Sequence, residues 1–73
     1  MIELDLSGLK CPLPVLRTRK VLRTLEPGAT LRVVCTDPLA SIDIPNLIRE
    51  TGDVLEDQQQ DGTKLAFVIR KAG

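Results

Sequence analysis

A cysteine followed by two alternating prolines, Cys11-Pro12-Leu13-Pro14, is the stretch of this 73-residue chain best suited to chemistry, because it sets a thiol where an extended run gives way to a helical one. Proline suits a first helical position: its φ is already helical, and the N–H it lacks would have had no partner inside the helix. With Pro12 there, Cys11 is expected to be the N-cap. The partial positive charge of the helix end and the adjacent Lys10 would then favour thiolate over thiol, and the thiolate is the nucleophile. Pro12 and Pro14 carry no amide proton, which leaves Leu13 N–H as the main backbone donor facing an anion at the cap. A sulfur polarised this way without being caged by donors keeps its nucleophilicity, which falls as pKa falls. The plainer reading is that the prolines only start a helix and Cys11 is a small apolar residue ahead of it.

The chain has no histidine. Cys–His and Ser–His nucleophile pairs are therefore excluded, and any cysteine chemistry must draw on the backbone, on lysine or arginine, or on a partner. Two cysteines without histidine are too few for a familiar structural zinc site or a disulfide scaffold, so neither metal nor cofactor is expected. No segment resembles a signal peptide or reaches the roughly 20 apolar residues of a membrane span, which points to the cytoplasm and to no membrane partner.

The elements that must hold Cys11 follow from hydrophobic period and breakers. Met1 to Leu6 alternates apolar and acidic residues as a half-buried strand does, and Ser7-Gly8-Leu9-Lys10 ends it. A helix is expected from Pro12 to Leu25, stopped by Glu26-Pro27-Gly28. Thr30–Cys35 is short and β-branched, as a buried strand is, and the strand–helix–strand order implies a right-handed parallel crossover. A second helix is expected over Ser41–Thr51 with Gly52 as its stop; Pro45 inside that span predicts either a start near Asp43 or a kink at Ile44. Val54–Gln59 and Lys64–Arg70 flank Gln60-Asp61-Gly62-Thr63 as a hairpin. The order β-α-β-α-β-β gives an α/β fold: one domain, residues 1–73, a two-layer sandwich with a four-stranded mixed sheet and both helices on one face. Parallel neighbouring first and second strands would bring Cys35, Thr36 and Asp37 to the edge that carries the Cys11 loop. There Asp37 either caps the second helix or orients a group near the sulfur. Cys35 alternates with Leu31 and Val33 and is expected in the core, not as a resolving cysteine for Cys11.

Net charge is zero, yet residues 1–36 carry six basic and three acidic side chains while residues 37–73 carry four and seven. On the first helix Arg17, Arg19, Lys20 and Arg23 lie opposite Val15, Thr18, Val21, Leu22 and Leu25. That arc is either an ordinary solvated face or a docking surface for an acidic protein patch, with Arg17 and Lys20 its central residues. Nucleic acid is disfavoured, since without Trp or Tyr there is no stacking platform for single strands.

With these residues in view the chain resembles the TusA/SirA-like family of small sulfur-transfer proteins over nearly its whole length. The resemblance rests on Asp5, Gly8-Leu9, Cys11-Pro12-Leu13-Pro14, Thr36-Asp37-Pro38, Asp43-Ile44-Pro45, Gly52, Asp61-Gly62 and the terminal Ile69-Arg70-Lys71. It implies that Cys11 carries persulfide sulfur, that Asp37 and Asp43 are the family's acidic motif positions, and that Lys10, Pro12, Leu13 and Pro14 support the cysteine. The partners it implies are a persulfide donor protein, such as a cysteine desulfurase, and an acceptor protein of a sulfur relay. Two positions depart from the family pattern: Asn46-Leu47 stands where an aromatic or bulky apolar residue is common after the Ile-Pro pair, and Asp53 stands where histidine is frequent after the glycine.

The expected function is that of a sulfur carrier. Cys11 takes sulfane sulfur from a donor persulfide and yields it to an acceptor thiol, two displacements that need only one nucleophile. A regulatory or interaction module contacting protein or RNA through the basic helix face, and a redox protein cycling through a Cys11–Cys35 disulfide, are the alternatives.

Overall fold

Period-two alternation builds β1, Ile2–Leu6, and β2, Thr30–Cys35, and in the computed structural model, which describes residues 1–72, they pair in parallel with Leu6 beside Cys35. Helix α1, Leu13–Thr24, makes the crossover between them. Helix α2, Ala40–Thr51, leads from β2 to the hairpin of β3, Val54–Asp61, and β4, Lys64–Arg70. The strand order is β1-β2-β4-β3, so β4 lies antiparallel between β2 and β3 and the sheet is mixed, as the element order implied.

One face of the sheet forms the core. Leu31, Val33 and Cys35 of β2 and Leu65, Phe67 and Ile69 of β4 alternate inward and are at most 3% exposed. Against them α1 buries Pro14, Thr18 and Leu22, and α2 buries Ala40, Ile44, Leu47 and Ile48, spacings that put each set on one helical face. Val34, Ala66 and Val68 point to the opposite, half-exposed face. Cys35 is thus the core thiol its alternation implied.

Local details differ from the sequence reading. Helix α2 neither waits for Asp43 nor starts at Ser41; it begins at Ala40, with Leu39 as N-cap and Pro45 inside it. Its first turn is wound by carbonyls supplied early: Asp37 accepts from Ala40 N–H, Pro38 from Ser41 N–H, and Leu39 from both Ile42 and Asp43 N–H. Pro45 then forfeits one bond, to Ser41, in a helix that buries Ala40, Ile44, Leu47 and Ile48. Strand β3 runs two residues beyond Gln59, because Gln60 and Asp61 pair with Leu65 and Lys64 across a two-residue turn, Gly62-Thr63. Gly62 has φ +60°, a value that favours glycine and suits the turns matching strand twist.

Candidate functional site

The site is assembled where β1 and β2 end on the same sheet edge. The chain leaving β1 turns at Gly8, φ +83°, a left-handed conformation that an L side chain adopts only with strain. Gly8 N–H donates to the Thr36 hydroxyl at 2.8 Å, and Ser7 N–H to the Asp5 carboxylate at 3.0 Å. Asp37, one residue beyond Thr36, is bonded twice: one carboxylate oxygen accepts from Cys11 N–H and the other from Leu39 N–H at 3.0 Å. These bonds hold its carboxyl below the usual range, with the charge of Lys10 adding to the effect. Asp37 is not the cap of α2, whose N-cap is Leu39 with no side-chain cap bond, and its partners are backbone amides and not a group on the sulfur. It ties down the loop that opens α2, and it fixes the backbone of Cys11 across 26 residues of sequence.

Cys11 is not the N-cap of α1. Pro12 occupies that position, with φ −95° and ψ 11°, Leu13 and Pro14 are the first two helical residues, and the Cys11–Pro12 peptide is cis. Leu13 N–H, expected to face the sulfur, instead donates to the Lys10 carbonyl at 2.8 Å, closing a turn through Cys11 and Pro12. The sulfur turns toward α2, where the thiol donates to the Asp43 carboxylate at 3.1 Å. Its pKa is accordingly raised, not lowered as the helix-end argument required. The hydrogen bond to Asp43 is the largest cause, followed by partial desolvation and then by the negative charges of Asp43 and Asp37. Ionising the thiol would break that bond and place a third anion beside two carboxylates.

Cys11 is exposed and borders two open hollows. One, about 400 Å³, lies between the loops and is lined by Gly8, Leu9, Lys10, Thr36, Asp37 and Leu39. The other, about 320 Å³, is a groove between the helices, lined by Pro12, Val15, Asp43, Asn46 and Leu47 and closed at its far end by Arg19 and Glu50, paired at 3.4 Å. Lys10, Pro12, Asp37 and Asp43 thus gather around the thiol. Pro14 is buried on the inner face of α1, while Leu13 is 42% exposed on its outer face. Arg17 and Lys20 line neither hollow; they continue the exposed stripe begun by Leu13 and Leu16, one turn apart along the helix. Arg19, counted with them in the basic arc, is half-buried and paired.

The exposed apolar residues Leu16 on α1 and Leu39 and Ile42 at the start of α2 carry no role in the sequence analysis, and Leu13 figures there for its N–H and its place in the motif, not for its exposed side chain. Their apolar character beside polar helix positions was the available signal. Of the two departures, Asn46 lines the groove beside Cys11, whereas Asp53 lies past the opposite end of α2. There its carboxylate accepts from the Thr51 hydroxyl at 2.7 Å and from Ala72 N–H at 2.9 Å.

Comparison with known proteins gives a consistent result. Residues 2–71 match the family described as "Sulfurtransferase TusA". The chain is 41% identical over 70 residues to the sulfur carrier protein TusA of Allochromatium vinosum, covering 96% of this chain and 92% of that protein. It superposes on the crystal structure of a SirA-like protein from Desulfitobacterium hafniense with a TM-score of 0.85 and 26% identity, over the full length of both chains.

Proposed function

The chain belongs to the TusA family of sulfurtransferases and is a sulfur carrier with sulfur-relay partners, and from this premise we propose that Cys11 is the residue on which the sulfur travels. The observation that carries the assignment is the contrast between the two thiols. Cys11 is exposed beside two hollows, whereas Cys35 is 0% exposed with its pKa pushed up to about 11 by burial. Loading is a displacement. The Cys11 thiolate attacks the outer sulfur of a donor R–S–SH, the donor's S–S bond breaks, and R–S⁻ leaves and takes up the proton that Cys11 gave up; the products are Cys11–S–SH and R–SH. Discharge repeats the step with an acceptor thiolate attacking the outer sulfur and Cys11 as the leaving group. No electrons are gained or lost overall. Because Asp43 holds the resting sulfur as a thiol, attack requires that bond to open and the thiol to give up its proton.

The donor we favour is a protein persulfide such as that of a cysteine desulfurase, with a second relay protein as acceptor. Both would meet Cys11 across the rim of Leu13, Leu16, Leu39 and Ile42, with Arg17 and Lys20 steering an acidic partner. An exposed, unpaired working thiol suits a reducing compartment, which favours the cytoplasm; among the described residues no helix is long and apolar enough to cross a membrane. The test is intact mass after incubation with a persulfide donor. The native protein gains one sulfur atom and Cys11→Ser gains none while staying folded. Sulfur on a folded Cys11→Ser protein would overturn the assignment.

A further inference from the structure

The carboxylate that accepts the Cys11 thiol hydrogen bond sits in the first turn of α2, 32 residues away, and makes that one side-chain hydrogen bond among the described residues. It is available only to the unloaded carrier. Once a second sulfur is bonded to Cys11 Sγ, that atom has no proton to donate. The outer sulfur stands about 2 Å further out. If protonated it must find a new acceptor geometry, and if ionised it faces both Asp43 and Asp37. The loaded state therefore lacks the Sγ–Asp43 bond that the unloaded state has, and when its outer sulfur is ionised it meets repulsion that the neutral thiol does not.

Resting on the assignment of Cys11 as the sulfur carrier, we propose that Asp43 is a positioning residue that sets how tightly this chain holds its sulfur: it anchors the empty thiol, disfavours the persulfide, and so biases the carrier toward discharge. The logic is that of linkage, since a contact made by one state and not the other shifts the equilibrium between them by the difference alone. The charged groups around the sulfur are few. Asp43 approaches from α2, Asp37 from the loop after β2, and Lys10 from the loop preceding α1, while Arg19 and Glu50 satisfy each other at the far end of the groove. Asp37 is committed to two backbone N–H groups, so Asp43 is the acid whose partner changes with loading. Directionality then comes from the carrier itself: a donor must overcome the hold of Asp43 to load it, and an acceptor is assisted by the return of that bond.

The experiment equilibrates the whole protein with a fixed mixture of glutathione and glutathione persulfide at pH 7 and measures the ratio of loaded to empty carrier by intact mass. Asp43→Asn and Asp43→Ala should raise that ratio several-fold over the native protein. In both, the pH midpoint for alkylation of empty Cys11 should fall, a readout that a merely structural role for Asp43 would not move in step with loading. An unchanged or lowered ratio in a variant whose alkylation midpoint has fallen overturns the proposal. So does an unchanged midpoint in both. Failure of the native protein to load, or equal loading of Cys11→Ser, would instead overturn the assignment of Cys11.

Discussion

Replacing Cys35 by alanine separates the two thiols by role, and its cost can be worked from the packing. Cys35 is 0% exposed, flanked by Leu6 on β1 and Leu65 on β4, and joined to the core formed by Leu31, Val33 and Phe67. Deleting Sγ removes one apolar heavy atom, comparable to a methylene at about 0.8 kcal/mol. A residual space of roughly 20 Å³ adds about 0.5 kcal/mol. The variant should therefore be less stable by about 1 kcal/mol, which for a domain of this size lowers Tm by roughly 4–8 °C. Sulfur loading should be retained. The loss should also depend on pH. In the folded chain the Cys35 thiol titrates near 11, above the value of about 8.5 for an unfolded cysteine. Between those values the unfolded chain binds fewer protons than the folded one, so stability falls as pH rises. The native protein's advantage over Cys35→Ala is then full below about pH 8.5 and shrinks by up to ~1.4 kcal/mol per unit as pH rises from there toward about 11, so an advantage of about 1 kcal/mol is gone roughly one unit above 8.5. Thermal melts of both proteins from pH 7 to 11, with loading followed by mass, make the test. An advantage that persists undiminished to pH 11 would refute the burial argument, and loss of loading in a folded Cys35→Ala protein would revive the Cys11–Cys35 disulfide.

Other perturbations address docking and the loop clamp. Reversing Arg17 and Lys20 to glutamate should slow loading from a protein donor and leave loading from a small persulfide nearly unchanged, with added salt reproducing the first effect; equal loss with both donors would mean damage at Cys11 itself. Asp37→Asn should lower stability at neutral pH, because a carboxylate whose folded pKa is depressed by the Cys11 and Leu39 amides stabilises the fold above its unfolded value of about 3.9. That contribution is lost as pH falls through the lower folded value, so unfolding curves of the native protein and Asp37→Asn should converge in acid; a gap independent of pH would refute the clamp.

Elements defined by their own period were legible in the sequence, and those decided by neighbours were not. Alternation in Thr30–Cys35 and Lys64–Arg70 fixed both the strands and the face they bury, and the breakers at Glu26-Pro27-Gly28 and Gly52 marked the helix ends to within a residue. Pro45 misled because a proline inside a helix costs about 3 kcal/mol in isolation, whereas here Ile44 and Ile48 are buried in the core and the first turn is already wound before the proline is reached. The glutamines of β3 have little strand preference; their pairing is imposed by β4, whose own pattern is strong.

The same division explains why the thiol's acidity was misjudged. The charges local to Cys11 in sequence are the end of the following helix and the adjacent Lys10. A helix end acts as roughly half a charge and fades within a turn; in the fold its first N–H is occupied by the Lys10 carbonyl, and α1 starts one residue later than the motif implied. The groups that touch Cys11 come from 26 and 32 residues away, one carboxylate on its amide and one on its sulfur. A full charge in hydrogen-bond contact outweighs a partial charge at a distance, so the direction of the shift is set by the topology that delivers Asp37 and Asp43 to this edge. The parallel pairing of β1 and β2 was inferable and placed Asp37 correctly; the side of α2 on which Asp43 would meet the sulfur depended on where that helix began, the boundary that Pro45 obscured.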